Sequence, residues 1–326
     1  MVSEIKVWQI ENGNLISIET TMTESGRREK EDLEQWIKSD PTVLGGDILI
    51  IGEQVQTKSG PLDFLGIDRA GNILIIELKR EHLPRVVLAQ AVDYASDIAN
   101  WDVIELNEEC LKLHKQSLDT YIIENFDKVI LEDIPINQTQ RIILVGTYIE
   151  ESLQRMIEWL SSKFQVSINA ILFKYIKTKS GDELLARTVI IPEEIEKERS
   201  QKQQRKFEMS DEPGNYEDDE LKALLKTYLS EDRATPRRIK TILIPLCLAY
   251  DTVKRDAIKT ELIEKKEAKN DGQAGLILTT ISRELGIKKR DYLRQIIRYD
   301  KINPWEKENY RIEIKYKDMI TNILKG

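Results

Sequence analysis

Residues 62–80 read LDFLGIDRAGNILIIELKR, and this stretch decides the fold of the first half of the chain. Two apolar runs, at 62–68 and 73–79, are separated by the turn-forming sequence RAGN at 69–72. Apolar runs of this length on either side of a short glycine-containing turn predict a β-hairpin. The second run is apolar enough to form a strand that is buried inside a sheet.

Three charged residues stand inside these runs and are expected on one face of the hairpin. In a hairpin whose turn centres on position 70, residues equally far from the turn lie opposite each other, which pairs Asp63 with Glu77. Glu77 and Lys79 are two residues apart in one strand, so both side chains point to the same face. The pattern therefore predicts two carboxylates that converge, with an ammonium group close by.

This combination of residue types suits one kind of chemistry. Two carboxylates held together repel each other unless a proton or a cation lies between them. Oxygen ligands without a nearby His or Cys favour Mg²⁺ or Mn²⁺ over zinc, and a Lys beside such a cation can orient or deprotonate a water molecule. These parts suit the hydrolysis of a phosphodiester. The alternative is a surface hairpin with salt bridges, but Glu77 and Lys79 interrupt a run that otherwise reads as buried.

The stretch resembles the PD-(D/E)XK superfamily of nucleases. Asp63 followed by ELK at 77–79 is similar to the D…(D/E)-x-K core, and QAVDY at 90–94 is similar to the Q-x-x-x-Y motif of the RecB-like branch. The sequence of residues 60–80 is similar to that of NucS-type endonucleases. One departure is that Leu62, not Pro, precedes Asp63, with a proline one position earlier.

The resemblance implies a role for each of these residues. Asp63 and Glu77 are expected to be metal ligands, and Lys79 is expected to be the catalytic lysine. Gln90 and Tyr94, four residues apart on one helix face, would line the site and either hold the lysine or contact a phosphate. The implied cofactor is Mg²⁺ or Mn²⁺.

The resemblance also implies further metal ligands. The backbone carbonyl of Leu78 is one, and the first helix of the superfamily often adds a third acidic residue. Residues 27–38 are predicted to form that helix, with Glu31 as the expected ligand and Glu34 as the alternative. The other interpretation is that these glutamates are solvated charges on the helix surface.

The predicted fold is α/β, with a mixed-sheet, restriction-endonuclease-like nuclease domain at residues 1–195. This domain is expected to open with a further β-hairpin, and residues 47–52 and 53–57 are expected to form a pair of strands. Residues 196–219 are charged, rich in Gln and poor in aliphatic side chains, which predicts a linker. Residues 220–326 are predicted to form a mainly helical, DNA-binding-like domain.

The charge of the chain is unevenly distributed. The 326 residues carry a net charge of −8, yet residues 221–326 hold 24 Lys and Arg against 15 Asp and Glu, a net charge of +9. The remaining residues therefore carry −17. A basic module attached to an acidic one indicates that the basic part binds a polyanion.

A helix at 274–285, a short glycine-containing turn and a helix at 288–299 together read as a helix-turn-helix, and residues 310–316 could add a wing. Arginines recur every fourth residue in the second helix, so they are expected to form one stripe that faces duplex DNA. The alternative is a solvated basic face on an ordinary helical bundle. The expected DNA contacts are Lys288, Lys289, Arg290, Arg294 and Arg298.

Several classes of protein are disfavoured by the composition. No run of 18 apolar residues is present, which argues against a membrane span, and the start of the chain lacks the pattern of a signal peptide. Two cysteines far apart in sequence fit a reducing cytoplasm better than a disulfide. Only two histidines are present, which argues against a His-based zinc site or a Ser-His hydrolase.

The sequence is therefore interpreted as a Mg²⁺-dependent endodeoxyribonuclease whose C-terminal module binds duplex DNA. A homodimer is expected, because two sites related by a two-fold axis most simply cut two strands. One alternative is a catalytically inactive DNA-binding or regulatory protein on the same fold. Another is an RNA-directed nuclease, which the helix-turn-helix disfavours because the A-form major groove is too narrow for a helix. Repair, restriction and phage defence all remain open as biological roles.

Overall fold

The computed structural model of the chain describes residues 5–19, 22, 24–79, 82–126, 134, 136–195, 208–303 and 306–325. The chain forms two compact units. The first consists of Met1–Ala99, Glu109–Lys115 and Asn137–Gln201, and the second of Asn100–Glu108, Gln116–Ile136 and Lys202–Gly326.

The described chain as far as residue 189 contains ten strands and five α-helices. The strands are β1 (Val7–Glu11), β2 (Asn14–Ile18), β3 (Ile48–Thr57), β4 (Gly60–Asp68), β5 (Ile73–Leu78), β6 (His82–Leu83), β7 (Gln140–Gly146), β8 (Tyr148–Ile149), β9 (Ile168–Lys177) and β10 (Glu183–Val189). The helices are α1 (Glu29–Ser39), α2 (Val86–Ile98), α3 (Val103–His114), α4 (Leu118–Asn125) and α5 (Glu151–Phe164).

Six of these strands form one mixed sheet in the order β10, β9, β7, β5, β4, β3. β4 pairs antiparallel with both β3 and β5. β7 pairs parallel with both β5 and β9. β10 returns antiparallel to β9. β1 and β2 form the predicted N-terminal hairpin. The predicted α/β fold with a mixed sheet is confirmed.

Helices lie on both faces of this sheet. Leu33 of α1 packs into a cluster with Phe64, Ile76 and Leu78, which lie at alternate positions of β4 and β5 and therefore share one face. α2 packs against β5 and β7. Because side chains alternate along a strand, Asp63, the neighbour of Phe64, points to the face opposite to α1.

The hairpin formed by β4 and β5 has the predicted register. Phe64 pairs with Ile76 and Ile67 with Ile73, so residues equally far from position 70 lie opposite each other. Every residue of β5 is buried, as expected for a central strand between β4 and β7.

The expected pair of strands at 47–52 and 53–57 is wrong, because these residues form the single strand β3. The register of β3 with β4 shifts between Ile50 and Gly52, which marks a β-bulge. Gln54 then adopts a positive φ of 48° within the same strand. The strand bends at these positions but does not end.

The second unit is mainly helical, as predicted. Its helices from residue 218 onward are α6 (Asp218–Leu229), α7 (Ala234–Arg238), α8 (Ile244–Ala249), α9 (Arg255–Glu264), α10 (Asp271–Gly286), α11 (Asp291–Ile296) and α12 (Lys317–Lys325). One π-helical turn, Ile239–Leu243, joins α7 to α8. The strands β11 (Ile297–Asn303) and β12 (Glu306–Ile312) form an antiparallel hairpin. These elements enclose a separate hydrophobic core.

The predicted helix-turn-helix is present in altered form. α10 is followed by a short 3₁₀ turn at Lys288–Arg290 and then by α11, which has only six residues. The expected helix at 288–299 is therefore too long, since the chain becomes strand β11 from Ile297 onward. Of the predicted wing at 310–316, residues 310–312 belong to β12, whereas residues 314–316 form a 3₁₀ turn.

Part of the predicted linker packs against the second unit. Residues 196–207 lie outside the described residues, but the N–H of Ser210 donates to the carbonyl of Gly286 and the N–H of Gly214 to that of Asp291. The expected boundaries of the two domains stay predictions, although the described part from residue 208 is bonded to α10 and α11.

No helix within the described ranges combines the length and the apolar character that a bilayer span requires.

Candidate active site

Asp63 and Glu77 lie at the point where β4 and β5 separate. The last paired residues of the two strands are Phe64 and Ile76, so both acidic residues stand one position beyond the ladder. β4 continues alongside β3 as far as Gly60, whereas β5 continues alongside β7. The two carboxylates therefore face a fork in the sheet, on the side opposite to α1.

Both carboxylates are withdrawn from solvent. Asp63 is 4% exposed and Glu77 is 3% exposed. The backbone N–H of Leu78 donates to Oδ2 of Asp63 at 2.8 Å, and the side-chain amide of Gln54 donates to Oδ1 at 3.1 Å. A buried carboxylate requires such donors, because burying charge without partners is costly.

Lys79 connects the strand to helix α2. Its Nζ lies 2.7 Å from Oε1 of Glu77 and 2.9 Å from Oε1 of Gln90. The backbone N–H of Lys79 donates to the carbonyl of Val145, which fixes the residue at the end of β5. The lysine side chain is 28% exposed, so the ammonium group reaches the solvent side of the site.

Gln90 and Tyr94 extend this chain of hydrogen bonds along α2. The amide nitrogen of Gln90 donates to the hydroxyl of Tyr94 at 2.8 Å, while the amide oxygen accepts from Lys79. Tyr94 is 2% exposed, and its hydroxyl also lies 3.5 Å from the position a Cβ would take at Gly60 in the β3–β4 turn. The structure thus brings all five predicted residues of the nuclease motif together, and their catalytic roles stay predictions.

The expected third acidic residue does not join this group. Glu31 is exposed on α1, the helix that packs on the opposite face of the sheet, and Glu34 lies on the same helix in a half-buried position. Within the described part of the chain, no group of three or more His, Cys, Asp or Glu side chains is arranged to hold an ion. The site as it stands contains two acidic residues.

The donor set nevertheless fits a hard divalent cation. Asp63 and Glu77 supply carboxylate oxygens, with neither His nor Cys in the group. Each carboxylate oxygen has two lone pairs, so it can bind more than one partner at a time. Oxygen ligands of this kind are typical of Mg²⁺ and Mn²⁺ sites.

The structure does not bring the expected DNA contacts of the second unit onto one stripe. Arg294 is 2% exposed and donates to the carbonyls of Leu285, Ile287 and Glu212, so it binds the protein interior. Because α11 ends at Ile296, Arg298 lies on strand β11.

The other expected contacts differ in exposure. Arg290 is mostly buried, forms an ion pair with Glu284 and lies 5.4 Å from the ring centre of Tyr228. Lys288 and Lys289 are exposed in the 3₁₀ turn, and Lys288 is paired with Glu208. Arg298 is paired with Glu313 and is 36% exposed. The expected stripe is wrong because α11 is short. Lys288 and Lys289 are exposed, and Arg298 is partly exposed.

Gln54 belongs to the site but was not among the predicted residues. It stands between the pairs Glu53 with Phe64 and Val55 with Leu62, which places it opposite Asp63 on the neighbouring strand. The sequence offered no motif that includes this glutamine. The register of β3 with β4, counted from the turn after Thr57, would have identified it, but the sequence analysis divided β3 into two strands.

Comparison with known proteins finds relatives for part of the chain. No protein-family model matches the sequence. The chain is 35% identical over 69 residues to Endonuclease NucS of Aeropyrum pernix, which covers 21% of this chain and 26% of that protein. It is 36% identical over 53 residues to Endonuclease NucS of Methanopyrus kandleri, covering 16% and 20%. The chain thus matches only 20–26% of the length of these relatives.

Two solved structures are also similar at a low level. The structure of an EndoMS-dsDNA2 complex shares 21% identity over 43% of each chain, with a TM-score of 0.25. The crystal structure of a repair endonuclease from Pyrococcus abyssi shares 18% identity over 43% of this chain and 45% of the other, with a TM-score of 0.24. The predicted resemblance to NucS-type endonucleases of the PD-(D/E)XK superfamily is confirmed by the sequence relatives, over about a fifth of this chain.

Proposed function

We propose that this chain is a metal-dependent endonuclease that hydrolyses DNA phosphodiester bonds and binds duplex DNA with its second unit. The observation that carries the proposal is the group of Asp63, Glu77 and Lys79 at the fork of the sheet, with Gln90 and Tyr94 behind the lysine. The partial relatives named Endonuclease NucS support the same reaction class.

Asp63 and Glu77 would hold the divalent cation, Mg²⁺ or Mn²⁺, with the backbone carbonyl of Leu78 as a further oxygen donor. When bound, such a cation lowers the pKa of a water molecule and offsets charge on the scissile phosphate. The two acidic side chains are held before any ligand arrives, because Leu78 fixes Asp63 and Lys79 fixes Glu77. A site held in this way needs little rearrangement when substrate binds.

Lys79 is the residue of this group that can act on the reacting atoms directly. Its ammonium group is fixed by Glu77 and Gln90, yet more than a quarter of its side chain is open to solvent. As the ammonium, it would orient the attacking water or neutralise negative charge on the phosphate. After losing its own proton, the Lys79 amine would instead accept a proton from the attacking water. Tyr94 acts through Gln90, since its hydroxyl accepts the hydrogen bond from the amide that fixes the orientation of Gln90.

The second unit supplies the contact with DNA in this proposal. Residues 221–326 carry a net charge of +9, and the turn between α10 and α11 presents Lys288 and Lys289 to solvent. Lysines in this place would bind phosphates, which gives affinity without reading sequence. A dimer that places two sites on opposite strands belongs to the same proposal, and sedimentation of the DNA complex tests it.

The decisive experiment compares cleavage and binding in one pair of variants. Wild-type protein and Lys79→Ala are incubated with supercoiled plasmid and Mg²⁺, with EDTA as the metal-free control. We expect wild type to cut only with Mg²⁺, and Lys79→Ala to lose at least about 100-fold in rate, as expected for loss of an acid–base group. Binding of duplex DNA should be unchanged in the variant, and Lys163→Ala, an exposed lysine on α5, is the matched control.

The same assay separates the rival functions. A protein that binds duplex DNA but does not cut it with Mg²⁺ or Mn²⁺ would be a DNA-binding or regulatory protein on a nuclease fold. Faster cutting of RNA than of duplex or single-stranded DNA would identify an RNA-directed nuclease. Equal cutting by wild type and Lys79→Ala would contradict the assigned role of the lysine.

A further inference from the structure

Gln54 adopts a backbone conformation that is unusual for a strand residue. Its φ is +48°, in the left-handed region, although the residue lies inside β3 between two regularly paired positions. Residues other than Gly, Asn and Asp are rarely found there, and isolated cases cluster at functional sites. The bulge at the preceding residues is a second irregularity in the same strand, and bulges commonly re-aim a side chain next to an active site.

The bend directs Gln54 at one side chain of the candidate site. The amide Nε2 of Gln54 donates to Oδ1 of Asp63 at 3.1 Å, while the N–H of Leu78 donates to Oδ2. Gln54, Asp63 and Glu77 therefore form a row across three adjacent strands, β3, β4 and β5, with Asp63 in the middle. Each oxygen of the Asp63 carboxylate receives a donor from a different strand.

This arrangement fixes the plane of the carboxylate. A rotation about the last bond of the Asp63 side chain would lengthen both hydrogen bonds, because the two donors lie on opposite sides of the group. The directions of the lone pairs on the two oxygens are set with it. Gln54 itself is exposed, so this contact is not part of the hydrophobic packing of the sheet.

We propose that Gln54 is a positioning residue, which holds the Asp63 carboxylate in the orientation that binds the divalent cation. This inference rests on the proposed function, since it assigns Asp63 to metal binding. Residues that hydrogen-bond a metal ligand commonly contribute about 10- to 100-fold to metal affinity or activity. Gln54 makes such a bond to Asp63 from outside the β4–β5 hairpin.

Two substitutions separate the hydrogen bond from the backbone conformation. Gln54→Met keeps the length of the side chain and removes the donor. Gln54→Asn keeps an amide and suits a positive φ better than Gln does, but it is one methylene too short to reach Asp63. Gln56→Met is the matched control, because Gln56 is exposed on the same strand and its amide bonds the backbone carbonyl of residue 54.

The measurement is the affinity of the metal-free full chain for Mn²⁺ by titration calorimetry, with melting temperature and Mg²⁺-dependent DNA cleavage measured in parallel. We expect Gln54→Met and Gln54→Asn each to bind Mn²⁺ about tenfold more weakly than wild type, with Gln56→Met unchanged. The Mg²⁺ concentration for half-maximal cleavage should rise by a similar factor, with the melting temperature of Gln54→Asn at the wild-type value. A purely structural role would instead let Gln54→Asn restore metal binding.

The possible failures are distinguishable. If wild type binds Mn²⁺ and cleaves DNA while both Gln54 variants bind Mn²⁺ with wild-type affinity, the positioning role is overturned and the proposed function stands. If wild type neither binds Mn²⁺ nor cleaves DNA, the proposed function is overturned, and the inference about Gln54 with it.

Discussion

The backbone N–H of Leu78 donates to the side chain of Asp63, on the neighbouring strand, at 2.8 Å. The ladder between β4 and β5 ends two residues earlier, at the pair Phe64 with Ile76. Where the two strands separate, a side chain of β4 therefore accepts the hydrogen bond of a backbone N–H of β5. Asp63 has a structural role at the fork as well as a proposed catalytic one, and the two roles can be separated by mutation.

Asp63→Ala and Asp63→Asn should differ in stability but not in activity. Alanine leaves the buried N–H of Leu78 without its acceptor, so we expect it to lower the free energy of unfolding by about 1–3 kcal/mol. Asparagine retains an oxygen at the same place and should cost less than about 1 kcal/mol. Both should abolish Mg²⁺-dependent cleavage. Urea denaturation and a plasmid assay check the two outcomes, and a fully active Asp63→Asn would remove Asp63 from the metal site.

Tyr94→Phe should weaken catalysis with little effect on folding. The substitution removes the hydroxyl that accepts from Gln90, so the amide of Gln90 is no longer held towards Lys79. The loss of one hydrogen bond in this chain corresponds to about 0.5–1.5 kcal/mol, and we expect kcat to fall about 2- to 10-fold. Single-turnover cleavage rates with saturating protein provide the measurement. A rate equal to that of wild type would show that Tyr94 does not act through Lys79.

The sequence sufficed to predict the β4–β5 hairpin and its side-chain pairing, because a strong turn and two apolar runs constrain the register locally. Gln90 and Tyr94 were predictable for a similar reason, since a helix places residues four apart on one face. Each of these predictions concerns residues that are close together in the sequence.

The positions of Gln54 and Glu31 could not be predicted from local sequence. Gln54 faces Asp63 from a backbone position with a positive φ, which Gln does not signal because it has no preference for the left-handed region. Glu31 was expected at the site because of its place in the chain order, but the apolar face of α1 packs on the other side of the sheet. Which sheet face a helix covers depends on tertiary packing that a single helix pattern does not encode.

Arg294 shows a comparable error in the second unit. Its spacing from Arg290 and Arg298 predicted a basic stripe, but the helix ends after six residues and the guanidinium turns inward to four backbone carbonyls. A regular spacing of charges is informative only for as long as the helix continues, and here α11 ends at the β-branched residue Ile296 and the strand β11 begins at Ile297.

Gly52→Ala should destabilise the first unit. A Cβ at this position would lie 2.6 Å from Cγ2 of Val55 and 3.3 Å from Cβ of both Leu65 and Glu109. Contacts this close force the bend in β3 to shift, and we expect a loss of about 1–3 kcal/mol in the free energy of unfolding. Gly46→Ala is the matched control, because no atom lies within 4 Å of its added Cβ. Equal urea midpoints for the two variants would contradict the close packing at Gly52.

Arg294→Met should lower the stability of the protein, whereas Lys289→Ala should weaken DNA binding. Removing the buried guanidinium takes this donor away from the buried carbonyls of Leu285 and Glu212, so Arg294→Met should lose about 3 kcal/mol of stability. Lys289 is exposed, and its substitution should leave the melting temperature unchanged while it weakens DNA binding. If this lysine contacts a phosphate, the slope of log K against log salt should fall by about 1.

Both cysteines should be inert in the folded protein. Cys110 and Cys247 are fully buried and free, and burial raises the pKa of each thiol to about 12. At pH 8 only about one thiol in ten thousand would then be ionised, and the thiolate is the reactive form. Ellman's reagent should therefore detect two thiols per chain only after denaturation. Rapid reaction of the native protein at pH 8 would show that one of the two sites opens.

The central claim is that Asp63 and Glu77 hold one divalent cation at the fork between β4 and β5. The most direct measurement is a crystal structure of the full chain with Mn²⁺ and duplex DNA, with the ion located by its anomalous scattering. We predict one anomalous peak within about 2.3 Å of an oxygen from each of the two carboxylates, with Lys79 beside it. A DNA complex in which Mn²⁺ binds elsewhere, and in which this pair of carboxylates holds no ion, would contradict the account.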